Sequence, residues 1–275
     1  MMGYFTTSDG LSLYYEDAGH GLPVLCLAGL TRNARDFDFV APHMPDVRLI
    51  RLDTRGRGKS GHAADPADYA VPVEARDALE LLDHLGIDKA AILGTSRGGI
   101  IGMYLAATAH ERLLGVALND IGPVIEPAGL AVISAYVGLQ PQVTSLDALA
   151  RARAHTARGA FPGVPLTRWR EEVERTHYMT PEGPRLAYDP LLAETVRGGD
   201  SPPADMWPLF EAIAPLPVAV IHGMTSDLLS AETVAGMKQR NPDLIVAHVP
   251  ERGHIPFLDE PRALEALRTW LDRMK

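Results

Sequence analysis

The chain reads Leu93-Gly94-Thr95-Ser96-Arg97-Gly98-Gly99 between an apolar run at 90–93 and a second apolar run, 100–107, with helical character. A G-x-S-x-G pattern between a strand and a helix is typical of a serine held on a sharp turn, the nucleophile elbow. Glycines at positions 94 and 98 suit such a turn because they let the strand and the helix approach without Cβ clashes. An ordinary Gly-rich turn with an incidental serine explains these residues equally well, so the rest of the chain has to decide.

Length and charge limit the classes of protein to consider. The chain has 275 residues and a formal net charge of -9 at pH 7. This length suits one large α/β domain, or a smaller domain that carries an insertion. The negative charge argues against nucleic acid or an anionic membrane as the main partner. The partner that we expect, from the catalytic residues described below, is a small-molecule substrate. The oligomeric state is left open.

The chain has a single cysteine, Cys26, inside an apolar run. It offers no disulfide framework and no cysteine metal cluster, and we expect it to be buried in the core. The N-terminal residues, 1–9, lack a basic region followed by an apolar stretch, and no run approaches 18 apolar residues. We therefore expect a cytoplasmic protein without a cofactor or a metal.

Short elements alternate along the chain in a β-α-β order. Two short strands flank the turn Ser8-Asp9-Gly10, and continuous apolar runs at 23–28 and 47–52 indicate strands that are buried on both faces. Apolar residues recur at helical spacing over 73–86, which predicts a crossover helix. The predicted fold is α/β, with a mostly parallel, doubly wound sheet of about eight strands.

The character of the chain changes after Pro123, where Arg- and Ala-rich helical stretches replace strand-like runs until Val218. Helices that are only partly apolar are typical of a segment that lies over a surface. We therefore predict a core formed by 1–123 and 204–275, with a helical cap inserted over 124–203.

A serine needs a base to become a nucleophile, and a histidine is the usual base. His254 is the candidate because it lies in a glycine- and proline-flanked loop after the last strand. Asp227, in a loop after another strand, is our preferred acid to orient the histidine, and Asp120, after the strand that follows the elbow, is the alternative. All these residues follow the carboxyl ends of predicted strands, where open parallel sheets build their sites.

Over nearly its whole length, the chain resembles an α/β-hydrolase with an inserted cap domain. Besides the elbow, three motifs carry the resemblance: 27–30 (Leu-Ala-Gly-Leu), 53–60 (Asp-Thr-Arg-Gly-Arg-Gly-Lys-Ser) and 253–261 (Gly-His-Ile-Pro-Phe-Leu-Asp-Glu-Pro). The resemblance implies that the backbone N–H groups of Leu30 and Arg97 form an oxyanion hole. The chain departs from the family's commonest pattern at Ala28, Thr95 and Arg97, which leaves the substrate-facing chemistry open.

Arg97 itself has two interpretations. Its side chain either pairs with an acidic substrate beside the nucleophile, or points away and pairs with solvent or a neighbouring acid; we slightly favour the second. The cap supplies most of the pocket wall in this architecture. Candidate lining residues are Tyr136, Trp169, Tyr178 and Trp207, although aromatic residues in a cap more often pack between its helices and the core.

The expected activity is hydrolysis of a small carboxylic ester or lactone through a Ser-His-Asp triad and an acyl-enzyme. The alternative with the same triad is hydrolysis of a carbon-carbon bond in a diketone-type ring-fission product. A weaker possibility is a cofactor-free haloperoxidase or perhydrolase side activity. A non-catalytic, ligand-binding member of the fold is the alternative from a different class.

Overall fold

The computed structural model describes residues 1–197 and 205–275. The strands are β1 (Met2–Thr6), β2 (Ser12–Ala18), β3 (Leu22–Leu27), β4 (Val47–Leu52), β5 (Ala90–Thr95), β6 (Leu113–Asn119), β7 (His177–Thr180), β8 (Gly183–Leu186), β9 (Val218–Gly223) and β10 (Ile245–Val249). The α-helices are α1 (Val71–His84), α2 (Arg97–Thr108), α3 (Pro127–Tyr136), α4 (Leu146–Thr156), α5 (Leu166–Thr176), α6 (Leu192–Arg197), α7 (Trp207–Ile213), α8 (Ala231–Arg240) and α9 (Pro261–Asp272).

Eight of these strands form one sheet in the order β1-β2-β4-β3-β5-β6-β9-β10. Strand β2 runs antiparallel to both of its neighbours, and every pairing from β4 to β10 is parallel. The predicted α/β fold with a mostly parallel sheet of about eight strands is confirmed. The first two strands form the predicted hairpin, and Gly10 in its turn has a positive φ of 88°.

The inner strands are buried on both faces, as their continuous apolar runs predict. In β3, Leu25 and Leu27 join the core cluster under α1 and α2, whereas Val24 and Cys26 join the cluster on the opposite face, which includes residues of α9. Cys26 is fully buried, in agreement with its expected place in the core. Helices on both faces make the sheet doubly wound.

Because β3, β5, β6, β9 and β10 run parallel, their carboxyl ends meet at one edge of the sheet. The loops that follow these strands carry Leu30, Ser96, Asp120, Asp227 and His254, respectively. These five residues, which the sequence predicts to form the catalytic site, therefore lie at one edge of the sheet.

The segment after β6 contains helices α3 to α6, but it is not wholly helical. Strands β7 and β8 pair as an antiparallel hairpin between α5 and α6, so the expectation of a purely helical insertion is wrong at this point. Each strand has only four residues, too few for a reliable alternating pattern in the sequence. The predicted boundary at 203/204 lies outside the described residues, and the division into core and insertion stays a prediction.

Over 1–197 and 205–275, no helix is both long enough and apolar enough to cross a membrane.

Candidate active site

Ser96 lies at the tip of the turn between β5 and α2. Its φ of 49° and ψ of -116° are strained for a residue with a Cβ, as the nucleophile-elbow interpretation requires. A Cβ at position 94 would collide with the backbone of Gly98, and a Cβ at position 98 would overlap the carbonyl oxygen of Leu27. The two glycines are needed because strand and helix backbones approach closely here.

His254 reaches Ser96 from the loop that follows β10. Its Nε2 atom lies 3.0 Å from the Ser96 Oγ atom, which is within hydrogen-bond distance. The side chain of His254 keeps 14% of its surface exposed, so the contact opens onto the cavity rather than being sealed in the core. The histidine is therefore placed to take the serine's proton.

The carboxylate that contacts His254 belongs to Asp120. The Oδ2 atom of Asp120 lies 2.9 Å from His254 Nδ1, and the side chain of Asp120 is fully buried. Its Oδ1 atom accepts a hydrogen bond from the backbone N–H of Gly223 at 2.8 Å, and its Oδ2 atom accepts another from the Ser226 hydroxyl at 2.6 Å. These donors fix the carboxylate in the orientation that the histidine needs.

The preference for Asp227 as the partner of His254 is wrong in this geometry. Asp227 is exposed and lies on the wall of the neighbouring cavity. The reason is local: the loop after β9 does reach this site, but through the Ser226 hydroxyl, and Asp227, one residue later, faces the cavity. The loop after β9 instead supplies Gly223 and Ser226, which hold Asp120.

The backbone proposed for the oxyanion hole lies beside the serine. A Cβ built on Gly29 would be 3.7 Å from the Cβ of Ser96, so the 29–30 peptide runs along the nucleophile. Leu30, Ser96 and Arg97 line one cavity together. Arg97 opens α2, and the N–H groups of a helix's first turn have no partner within the helix, so they are free to face a developing negative charge.

The side chain of Arg97 points away from the chemistry. Its Nε atom donates to Glu74 Oε2 at 2.6 Å, and its Nη2 atom donates to the carbonyl oxygen of Tyr69. Glu74 is fully buried and also pairs with Arg57, whose Nε atom donates to the Leu30 carbonyl oxygen at 2.8 Å. The geometry thus supports the second interpretation of Arg97, a structural role, and links both residues predicted to form the oxyanion hole to one buried carboxylate.

Two cavities of different character meet at the serine. The first is apolar and extends from Ser96 towards α3 and α6; its other lining residues are Leu30, Arg97, Ile100, Ile121, Ile125, Leu130, Ile133, Thr195, Val196 and Leu228. The second has a volume of about 500 Å³ and extends from His254, with Arg32, Arg153, Glu172 and Asp227 on its walls. A narrow cavity lined by both Ser96 and His254 joins them.

The structure places two of the four candidate aromatic residues at the larger cavity. Tyr136 and Trp169 line it, Trp169 being almost completely buried. The other two candidates lie elsewhere: Tyr178 is 56% exposed on the hairpin strand β7, and Trp207 packs against Phe210, with the Arg240 guanidinium 3.6 Å from its ring centroid. The expectation that Tyr178 and Trp207 line the pocket is corrected, since Tyr178 is exposed on β7 and Trp207 packs against Phe210 and Arg240.

Sequence reasoning missed a charged cluster on the wall of the larger cavity. Arg32 donates to Asp36 and, at 3.0 Å, to Glu172 Oε1, while the Nη2 atom of Arg153 lies 3.5 Å from the same oxygen. Burial alone would raise the pKa of Glu172, but Arg153 and Arg32 outweigh it and hold the pKa below its usual value. A signal was present, since Arg32 lies two residues after the 27–30 motif.

A family model described as the alpha/beta hydrolase fold matches residues 23–261. Among curated proteins, the chain is 35% identical over 264 residues to a 3-hydroxybutyrate-oligomer hydrolase of Cupriavidus necator, covering 90% of this chain and 88% of that protein. It is 27% identical to a 2-(acetamidomethylene)succinate hydrolase of Mesorhizobium japonicum, covering 95% of this chain and 92% of that protein.

Among solved structures, an alpha/beta hydrolase from Novosphingobium aromaticivorans superposes with a TM-score of 0.93. The two chains are 38% identical, and the match covers 99% of this chain and 98% of the other. The similarity therefore extends over nearly the whole length of both chains.

Proposed function

We propose a function from the premise that this chain belongs to the α/β-hydrolase fold family: it hydrolyses a small carboxylic ester or lactone through an acyl-enzyme on Ser96. The observation that carries the proposal is the continuous chain of contacts from the Ser96 hydroxyl through His254 to Asp120, at 3.0 and 2.9 Å. Only a base held in this way makes a serine hydroxyl a useful nucleophile at neutral pH.

In the first half of the reaction, His254 Nε2 takes the hydroxyl proton while the Ser96 Oγ atom bonds to the ester carbonyl carbon. Asp120 keeps the histidine in the tautomer that accepts this proton and stabilises the imidazolium that forms. The carbonyl oxygen becomes an oxyanion and receives hydrogen bonds from the N–H groups of Leu30 and Arg97. The imidazolium then protonates the alcohol oxygen as the C–O bond breaks.

In the second half, a water molecule replaces the alcohol. His254 takes one proton from the water, whose oxygen bonds to the acyl carbon, and returns the proton to Ser96 as the acid leaves. The overall change is one ester and one water converted into one acid and one alcohol. No other reactant is needed, so the residues at the sheet edge account for every proton that moves.

The choice of an ester is supported by the relatives. The 3-hydroxybutyrate-oligomer hydrolase, an ester hydrolase, aligns with 90% of this chain. The apolar cavity beside Ser96 suits a short hydrocarbon acyl group, because its walls are mainly isoleucine, leucine and valine side chains. The carbon-carbon bond alternative and a cytoplasmic location stay predictions.

The test is a substrate panel of p-nitrophenyl acetate and butyrate, a short alkyl ester, a γ-lactone and a vinylogous diketone acid. Each is assayed with the wild-type protein, with Ser96→Ala and with Ser8→Ala, an exposed serine, as the matched control. We expect ester or lactone turnover that Ser96→Ala abolishes and Ser8→Ala leaves unchanged. Turnover of the diketone acid alone would replace this function with carbon-carbon hydrolysis, and no turnover of any member would favour a binding protein.

A further inference from the structure

We propose that Arg153 forms a carboxylate-binding subsite, and that the protein selects esters whose alcohol half carries a free carboxylate. The inference rests on the proposed ester hydrolysis and names the substrate class of that site. Three observations support it. Arg153 lies in the larger cavity, this cavity receives the alcohol half of the ester, and the N–H donors of Arg153 are not used by hydrogen bonds within the described residues.

Arg153 lies on α4 and lines both the large cavity and the narrow cavity that joins it to Ser96. On the helix, Ala150 and Arg153 are three residues apart, the spacing that places side chains on a common face. The buried Ala150 on this face packs with Trp169, which fixes the helix against the cavity wall. The arginine is therefore carried on a packed helix.

The guanidinium of Arg153 makes no hydrogen bond to any residue within 1–197 or 205–275. Its nearest anion is Glu172 Oε1 at 3.5 Å, which is a charge contact rather than a hydrogen bond. The same oxygen already accepts a hydrogen bond from Arg32 at 3.0 Å, and Arg32 is further engaged by Asp36. Of the two cavity arginines, Arg32 uses its Nε and Nη1 atoms in hydrogen bonds, whereas none of the N–H groups of Arg153 is used within the described residues.

Glu172 attracts the Arg153 guanidinium through charge but does not occupy its hydrogen-bond donors. It is almost completely buried and ionised, since its two arginine neighbours lower its pKa despite its burial. The Arg153 side chain remains 42% exposed, so its free donors face the cavity that His254 opens into. A guanidinium with two parallel N–H groups matches a carboxylate in geometry as well as in charge.

The reaction geometry decides which half of the ester meets Arg153. His254 hands its proton to the leaving alcohol oxygen, so the alcohol half must extend on the His254 side of the scissile bond. That side is the larger cavity, which contains Arg153, whereas the apolar cavity on the Ser96 side, lined by Ile121 and Leu228, receives the acyl half. The substrate class is thus an acyl ester of a hydroxy acid.

The test compares three esters. The first is 3-(butanoyloxy)butanoate, with its carboxylate on the alcohol half. The second is its carboxamide, a neutral analogue of nearly the same shape. The third is sec-butyl hemisuccinate, with its carboxylate on the acyl half. Each is assayed with the wild-type protein, Arg153→Met, Arg153→Lys and Arg151→Met; Arg151 is an exposed arginine on the same helix and serves as the matched control.

We expect the wild-type kcat/KM to favour the first ester over both others by about tenfold or more, the scale of one charge-assisted hydrogen-bond pair. Arg153→Met should lower kcat/KM for the first ester by a similar factor, mainly through KM, and change the carboxamide by less than about threefold. Arg153→Lys should lie between the two, and Arg151→Met should match the wild type. An equal fall for the first ester and the carboxamide would overturn the subsite, as would a preference for the hemisuccinate.

Binding to the Ser96→Ala protein separates this inference from the proposed function. Calorimetry with the uncleaved esters should show binding of the carboxylate about tenfold or more tighter than that of the carboxamide, a difference that Arg153→Met removes. Selective binding without turnover in the wild type would contradict the hydrolase function and leave the subsite standing. Turnover without a preference for the carboxylate ester in either kinetics or binding would support the hydrolase function and contradict the Arg153 subsite.

Discussion

The Nδ1 atom of His254 lies 2.9 Å from the Oδ2 atom of Asp120, a fully buried carboxylate that follows the strand next to the serine's own strand. Asp227, which lies after a strand farther along the sheet, is exposed on the cavity wall instead. Two aspartates at the same edge of the sheet therefore have different surroundings, and exchange of each for asparagine distinguishes their roles.

Asp120→Asn should lower kcat for a neutral ester by about 10³–10⁴-fold, because an amide donor at this position favours the wrong histidine tautomer. Asp227→Asn should change kcat for the same ester by less than about threefold, since Asp227 does not orient His254. Steady-state kinetics on the two purified variants, with circular dichroism to confirm folding, is the measurement. A large loss of kcat in Asp227→Asn with a nearly unchanged kcat in Asp120→Asn would contradict the assignment of Asp120 as the partner of His254.

The sheet, Ser96 and His254 could be predicted from the sequence, but the aspartate that contacts His254 could not. Continuous apolar runs identify the inner strands, and glycines mark the elbow because Gly94 and Gly98 leave room for backbones in contact. Both aspartates follow a strand, however, and which of the two side chains contacts His254 depends on how loops that are distant in the chain pack together, a long-range relationship that local patterns do not contain. The same limit hid Arg153 and Glu172, which meet only after α4 and α5 pack together.

Gly98→Ala should destabilise the protein by about 2 kcal/mol or more, because the new Cβ would overlap the Leu27 carbonyl oxygen and force strand and helix apart. Urea unfolding at pH 7 measures the change in the free energy of unfolding. Gly159→Ala is the matched control, since nothing lies within 4 Å of its Cβ position. We expect the control to be neutral or slightly stabilising; equal losses in both variants would refute the packing explanation.

Glu74→Gln should reduce both stability and turnover. The fully buried carboxylate lies between Arg57 and Arg97, and its loss leaves two buried guanidinium groups without their counter-charge, a cost of about 3 kcal/mol. Because Arg57 also holds the Leu30 carbonyl oxygen, we expect kcat to fall by about tenfold or more as the oxyanion backbone shifts.

The measurements are thermal unfolding and the rate on a neutral ester below the unfolding temperature. Glu80→Gln, a partly exposed position on the same helix, should cost less than about 1 kcal/mol and leave kcat unchanged. If Glu74→Gln were destabilised yet kept the wild-type kcat, the network would be structural only and would not position the oxyanion hole.

His177 should make the protein less stable in mild acid. Burial is the main reason that its pKa falls from 6.5 to about 4, and the positive charge of Arg153 adds to the effect. Below pH 6.5, His177 is protonated in the unfolded chain, whereas in the folded protein it stays neutral until about pH 4. The free energy of unfolding therefore decreases as the pH falls from 6.5 to 4, by about 2–3 kcal/mol in total.

Urea unfolding of the wild type and His177→Gln at pH 7 and pH 4.5 tests this sign. The variant should lose less free energy of unfolding between the two pH values than the wild type does, whatever its stability at pH 7. His155→Gln, which changes an exposed histidine on α4, provides the control and should behave as the wild type. Identical pH-dependent losses in the wild type and His177→Gln would exclude His177 as the source.

The central claim is that Ser96 is a nucleophile activated by His254 and Asp120. Labelling with a fluorophosphonate, followed by intact mass and peptide mapping, tests this claim most directly, because the reagent reacts with a serine whose hydroxyl a base deprotonates. We predict one adduct per chain, on Ser96, formed in parallel with loss of esterase activity and absent from Ser96→Ala and much slower in Asp120→Asn. Folded wild-type protein that forms no adduct at Ser96 would contradict the account.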